Sequence, residues 1–218
     1  MVYALVPEMK VDGKSKMGLE PFNSDIRDLI EVEDATPDGG VYMNHGRALS
    51  SGRRIKLDHV PKQMKQDSQG VLADYSTPYG LLCVSDKFKN IVEKIEPGVH
   101  QFIPFEVVGA GKKHVADMWF MVVCNRLDSV DREQTTLILY RDAMWLPASD
   151  VGREHWPMNY DPSKPNKLVF SRAQIGDHHL WFDKHIGFSI VPLASDKLVE
   201  SLVEAGVTGI SFSEREAV

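Results

Sequence analysis

The sequence predicts an α+β fold: a mostly antiparallel mixed sheet with two or three packed amphipathic helices, in a single domain, 1–218. Three observations lead there. Two apolar stripes recur at helical spacing, each opened by the same triplet, Ser85-Asp86-Lys87 and Ser195-Asp196-Lys197. Short β-forming runs bounded by glycine and proline fill much of the remainder of 81–218. The first 80 residues lack enough periodic apolar structure for a core of their own, so the chain reads as one domain rather than two. A less regular part, 1–80, joins a core, 81–218, made of two strand–helix–strand units.

Val2, Tyr3, Leu5 and Val6 make a short strand that Pro7 ends. Residues 10–20, with Gly13 and Gly18, read as loop. Phe22, Ile26, Leu29 and Ile30 recur at helical spacing, with Asn23 or Ser24 as N-cap, giving a helix near 23–31. Ala35 to Gly40 is a turn cluster. The stretch 41–80 is the least regular: Val41-Tyr42-Met43 is a strand candidate, Arg53 to Leu57 alternate weakly, and irregular structure or short edge strands are expected.

From residue 81 the pattern sharpens. Leu81 to Val84 is a buried strand. Ser85 caps a helix whose apolar face is Phe88, Ile91, Val92 and Ile95, and Pro97-Gly98 stops it. A strand follows over Val99 to Val108, and 109–113 (GAGKK) makes a hairpin turn. Met118 to Cys124 is apolar throughout, as a central strand is. Residues 128–134 form a charged connection, and Thr135 to Tyr140 is a strand. Four prolines mark 147–167 as a long loop; Leu168 to Ser171 and His179 to Phe182 read as strands. Ser189-Ile190-Val191 leads to the second triplet, a helix striped by Leu198, Leu202 and Ala205 and widened by Val199 and Val203. Gly206 or Gly209 closes it before a strand, Val207 to Phe212. Expected core positions are Leu82, Val84, Phe88, Ile91, Val92, Ile95, Phe102, Phe120, Val122, Leu137, Leu139, Leu198, Leu202, Ile210 and Phe212. The echoed Ser-Asp-Lys is either a pseudo-repeat or coincidence, and capping chemistry explains it without a site.

Composition bounds the function. Hydrophobic residues make up 43%, which argues against disorder across the chain. The formal charge of −6 disfavours non-specific nucleic-acid binding, which needs lysine and arginine to displace counterions, and suits a basic partner. Cys83 and Cys124 lie in apolar runs and read as reduced core thiols. The longest apolar run, Met118 to Cys124, is far shorter than the roughly 20 residues of a membrane span. The opening residues carry no basic, signal-like segment, so a soluble, cytoplasmic protein is expected.

Chemistry-bearing clusters are few. On a strand, His179, Asp183 and His185 share a face while His178 points away, which suggests a metal-dependent hydrolase. Their spacing matches no standard metal motif, and polar residues on a half-exposed strand and turn explain them as well. Asp128, Asp131 and Glu133, interleaved with Arg126 and Arg132, read as a solvated loop rather than an acid–base pair. No nucleophile elbow, phosphate-binding loop or dinucleotide fingerprint is present, so no catalytic residue, metal or cofactor is assigned. Residues 25–38 carry a net charge of −5 and 47–65 a net charge of +5. Either these blocks pair with each other, or the acidic one docks a basic partner. Trp145, Trp156 and Tyr160 either belong to an interface or pin a loop to the core. Partner-binding candidates are therefore Asp28, Glu31, Glu33, Asp34, Trp145, Trp156 and Tyr160.

Three segments resemble a bacterial family of immunity proteins from polymorphic toxin systems, immunity family eleven. They are LLCVSDKFKNIVEKIEPGVHQFIPFEV (81–107), MWFMVVCNRLDSVDREQTT (118–136) and HLWFDKHIGFSIVPLASDKLVESLVEAGVTGISF (179–212), with VYALVPEM (2–9) fitting more loosely. Residues 41–80 match least. The resemblance implies a non-enzymatic role in interbacterial competition: binding and neutralising a cognate toxin inside the producing cell. It supplies no catalytic set. An effector-loading adaptor shares every one of these sequence features.

Overall fold

The structure is a computed structural model that describes residues 1–22, 26–41, 46–187 and 191–218. The N-terminal stretch forms β1 (Val2–Pro7), a hairpin of β2 (Lys10–Val11) and β3 (Lys14–Ser15), and β4 (Leu19–Pro21). One helical turn, α1 (Ile26–Leu29), precedes an irregular run to β5 (Gln63–Gln66) and β6 (Tyr75–Ser76). The regular half opens with β7 (Cys83–Val84), α2 (Asp86–Ile95), β8 (Gln101–Val108) and β9 (His114–Val122). Next come β10 (Arg126–Leu127) and a hairpin of β11 (Ile138–Tyr140) and β12 (Met144–Leu146). The chain closes with α3 (Arg172–Ile175), β13 (Leu180–Asp183), β14 (Leu193–Ser195), α4 (Asp196–Glu204) and β15 (Ile210–Arg215).

Six strands form one sheet in the order β4-β5-β8-β9-β7-β6, and five form another, β10-β13-β14-β1-β15. In both sheets the described neighbours are antiparallel except β5–β8 and β10–β13. The fold is thus the α+β class that the sequence predicts. Residues 1–80 supply β1 to one sheet and β4, β5 and β6 to the other.

The echoed triplet marks a structural repeat. β9 lies between β7 and β8, antiparallel to both. β1 lies likewise between β14 and β15. Each unit, β7–α2–β8 and β14–α4–β15, is therefore a strand–helix–strand crossover whose parallel strands have admitted one antiparallel strand between them. In the first unit that strand follows the crossover; in the second it is the first strand of the chain. The two serines act alike: Ser85 Oγ accepts from the Phe88 amide at 3.3 Å, and Ser195 Oγ from the Leu198 amide at 3.4 Å. Each satisfies an amide that the first helical turn leaves without a partner.

The two helices pack against each other. Phe88 and Val92 of α2 and Leu198, Val199 and Leu202 of α4 are buried in one core with Leu82, Val84, Leu180 and Ile210. A second core lies beneath the six-stranded sheet, where Phe105, Met118, Phe120 and Val122 meet Ile26, Ile30, Val32 and Ile55 of the irregular N-terminal part. A third covers the five-stranded sheet, with Val130, Trp145, Phe170 and Trp181. Of the expected core positions, Ile91, Ile95, Phe102 and Phe212 are only partly buried beside the first core, and Leu137 and Leu139 beside the third. Asp74 joins the repeats: it accepts from Ser85 Oγ at 2.7 Å, from the Thr208 amide and hydroxyl at 2.9 Å each, and pairs with Lys87 at 2.9 Å. Burial opposes its ionisation, but these partners hold its carboxyl below the usual value.

Several expectations are corrected. Residues 10–20 are not loop: Asp12 and Gly13, with φ of 48° and 75°, make the two-residue turn of the β2–β3 hairpin. Leu168 to Ser171 is not a strand; Phe170 makes only single bridges, to Val130 and Ala217. Trp145 belongs to β12 rather than to a loop. β5 is an internal strand, not an edge. The first helix is one turn long. Its proposed caps, Asn23 and Ser24, lie outside the described residues, as do Tyr42, Met43, Ser189 and Ile190.

Candidate functional site

His179, Asp183 and His185 do not converge. β13 ends at Asp183, whose carboxylate accepts from the His185 amide at 2.8 Å and so turns the chain out of the strand. The period-two spacing that would align His185 with His179 is lost there. Asp183 also accepts from the Ser129 amide at 2.7 Å and its hydroxyl at 2.8 Å, while Trp181 Nε1 donates to the same hydroxyl at 3.1 Å. Burial pushes the Asp183 carboxyl up, against the donors that pull it down. His179 Nδ1 meets Ser195 Oγ at 2.7 Å, at the N-cap of α4. His185 lies fully buried, with Nδ1 donating to the Ala143 carbonyl at 3.1 Å. Its Nε2 faces Asp128 Oδ1 at 3.7 Å, beyond hydrogen-bond reach. Among the described residues no group of three His, Cys, Asp or Glu side chains is placed to hold a metal ion.

Sequence reasoning missed a buried carboxylate nearby. Glu96, at the C-terminal end of α2, accepts from Asn125 Nδ2 at 3.1 Å and the His179 amide at 2.9 Å. His100 Nε2 lies 2.8 Å from it. His100 Nδ1 accepts from the Cys124 amide at 3.1 Å, so the neutral ring donates through Nε2 to Glu96. Burial opposes the charge on Glu96, but these bonds outweigh it and hold its carboxyl low. The network knits α2, β13 and the end of β9, with Glu96, His100 and Asn125 all buried. The only trace in the sequence is the i, i+4 spacing of Glu96 and His100.

The two charge blocks do pair. The Glu33 amide donates to the Arg54 carbonyl and the Lys56 amide to the Glu31 carbonyl, both at 2.9 Å, so the blocks run side by side. Glu31 meets Lys56 at 2.7 Å, Glu33 meets Arg54 at 3.9 Å, and Asp34 meets Arg53 at 3.8 Å. Asp38 is held more firmly: the nearly buried Arg126 guanidinium binds both carboxylate oxygens through Nε, and Arg53 binds at 3.0 Å. The same guanidinium donates to the carbonyls of Gly39, Val41 and Ser51. Asp28 is exposed on α1.

Of the candidate aromatics, Trp145 is only 3% exposed and offers no surface to a partner in this conformation. Trp156 Nε1 donates to the Val151 carbonyl at 3.0 Å, and the Tyr160 hydroxyl to the Thr136 carbonyl at 3.1 Å. Both half-buried rings tie the proline-rich loop down and meet edge to face, with centroids 5.1 Å apart.

A broad concavity among the described residues lies elsewhere. A groove of about 1350 Å³ runs between α1, the 57–63 segment and the β8–β9 pair. Three of its lining residues are apolar yet exposed: Phe22 at 60%, Leu29 at 41% and Leu57 at 55%. Glu106 and Asp117, which also line it, sit directly opposite each other on β8 and β9.

These features describe an α+β scaffold whose buried polar groups hold irregular segments in place and which carries, among the described residues, an open, partly apolar surface groove. A profile of the immunity protein family (Imm11) matches residues 3–217, and the chain belongs to that family. A comparison with curated proteins gives no match. No helix among the described residues is long and apolar enough to cross a membrane.

Proposed function

We propose that this chain is the cytoplasmic immunity partner of an antibacterial toxin in a polymorphic toxin system: it binds the toxin and silences it by occlusion, without catalysing a reaction. The family match across nearly the whole chain carries the reading. The site geometry agrees with it. The His179, Asp183 and His185 side chains that suggested a hydrolase each serve a separate local contact. The partner is read as a basic protein rather than nucleic acid or membrane, in keeping with the net charge of −6. The whole chain, 1–218, acts as one unit in this reading, since its first 80 residues contribute to both sheets.

Co-expression with the product of the adjacent gene tests it. The expected result is stable co-purification and rescue of growth from that product's toxicity. Association without rescue would move the chain to the effector-loading role. A neighbour that is not toxic and does not associate would remove the immunity reading.

A further inference from the structure

We infer that the groove beside β8, rather than the acidic loop 31–38, receives the toxin, and that the segment it receives presents apolar side chains flanked by lysine or arginine. This rests on the immunity reading. Three observations meet there. Exposed phenylalanine and leucine side chains cluster on its walls, at Phe22, Leu29 and Leu57, where isolated surface hydrophobics would be scattered.

The second observation is electrostatic. Glu106 and Asp117 oppose each other across the β8–β9 ladder, an arrangement of like charges that costs stability on its own. Glu106 accepts from Gln63 Nε2 at 2.8 Å, and Asp117 faces His114 at 3.0 Å. Among the described residues, neither has a lysine or arginine partner. Asp86, which binds Trp119 Nε1 at 2.7 Å, adds a third carboxylate to the lining, against Lys62 as its lysine. A cation brought by a partner would relieve the opposed carboxylates, and apolar groups beside it would cover the exposed walls.

The third observation fixes the mode of docking. β5 pairs with β8 only from Glu106 onward, so no described strand covers the edge of β8 at Ile103–Phe105. Pro104 sits in the middle of that edge and has no N–H to offer an added strand. The occupant therefore docks through its side chains, not by extending the sheet.

The test uses the full chain and the toxic product of the adjacent gene. A photo-crosslinking side chain is placed at Leu57, in the groove, or at Met158, which is 92% exposed and lies outside it. Capture from Leu57 and not from Met158, through a toxin peptide containing lysine or arginine, is the expected result. Capture from Met158 alone, or of a second copy of this chain from Leu57, would overturn the inference. In parallel, the double reversal Glu106→Lys, Asp117→Lys should weaken toxin binding roughly tenfold or more and flatten its salt dependence. Both side chains are exposed, so its melting temperature serves as the check on folding. Unchanged affinity in that variant would refute the groove and leave the immunity reading standing. Failure of the unmodified chain to bind would remove both.

Discussion

The acidic loop and the β8 groove both carry clustered carboxylates, but their partners differ. In the loop, Glu31, Glu33, Asp34 and Asp38 each meet a lysine or arginine of the block that follows. In the groove, Glu106 and Asp117 face each other, and among the described residues their side-chain partners are Gln63 and His114 rather than a lysine or arginine. A run of acidic residues in a sequence thus marks an internal clamp as readily as a docking surface. What separates the two is whether the opposite charge lies within the same chain. The loop carboxylates tie an irregular segment to the block that follows it; in the proposed docking, those of the groove meet charge from outside.

The strongest way to break this contrast is to cut the clamp. Arg126→Ala leaves Asp38 with Arg53 alone and removes the donor to three carbonyls, and should lower stability by about 3 kcal/mol in urea denaturation. Toxin affinity should stay within about threefold when measured where the variant remains folded. A loss of affinity with intact stability would place the docking surface in the loop. Next in size, the Glu106→Lys, Asp117→Lys reversal should cost affinity by the roughly tenfold given above, equivalent to about 1.4 kcal/mol. The single change Glu106→Lys should raise stability by about 0.5 kcal/mol, since it turns an opposed like pair into an opposite one.

A smaller effect comes from pH. Burial opposes the charge on Asp38, but the Arg126 and Arg53 guanidinium groups outweigh it and hold the carboxyl below its ordinary value of 3.8. A depressed carboxyl adds stability that is present above the ordinary value and lost as pH falls through the folded one. The stability of the unmodified chain should therefore decline below about pH 4 more steeply than that of Asp38→Asn. Matching acid profiles would show that the clamp is not charge-dependent. The smallest change belongs to Lys56→Ala: its pair with Glu31 is solvent-exposed on both sides, so its urea midpoint should stay at that of the unmodified chain and toxin affinity should be unchanged.

Local chemistry was legible in the sequence and long-range pairing was not. Ser85 and Ser195 could be read as caps because a cap needs only the next few residues. That β1 slots between β14 and β15 could not be read, since it joins the chain's beginning to its end. The Asp12-Gly13 pair was a readable hairpin signal, hidden by the polar residues around it. Leu29 fits an apolar helical stripe, yet α1 ends there and leaves it 41% exposed in the groove wall. Glu106 and Asp117 become neighbours only through the β8–β9 register, so no spacing rule could have drawn attention to them.

The most direct measurement is amide hydrogen exchange of the full chain with and without the product of the adjacent gene, the partner that the immunity reading proposes. Toxin binding in the groove predicts slowed exchange at 57–63, 103–106 and 117–119, with residues 31–38 and 153–160 unchanged. Protection confined to 31–38 or to the 153–160 loop would contradict that account.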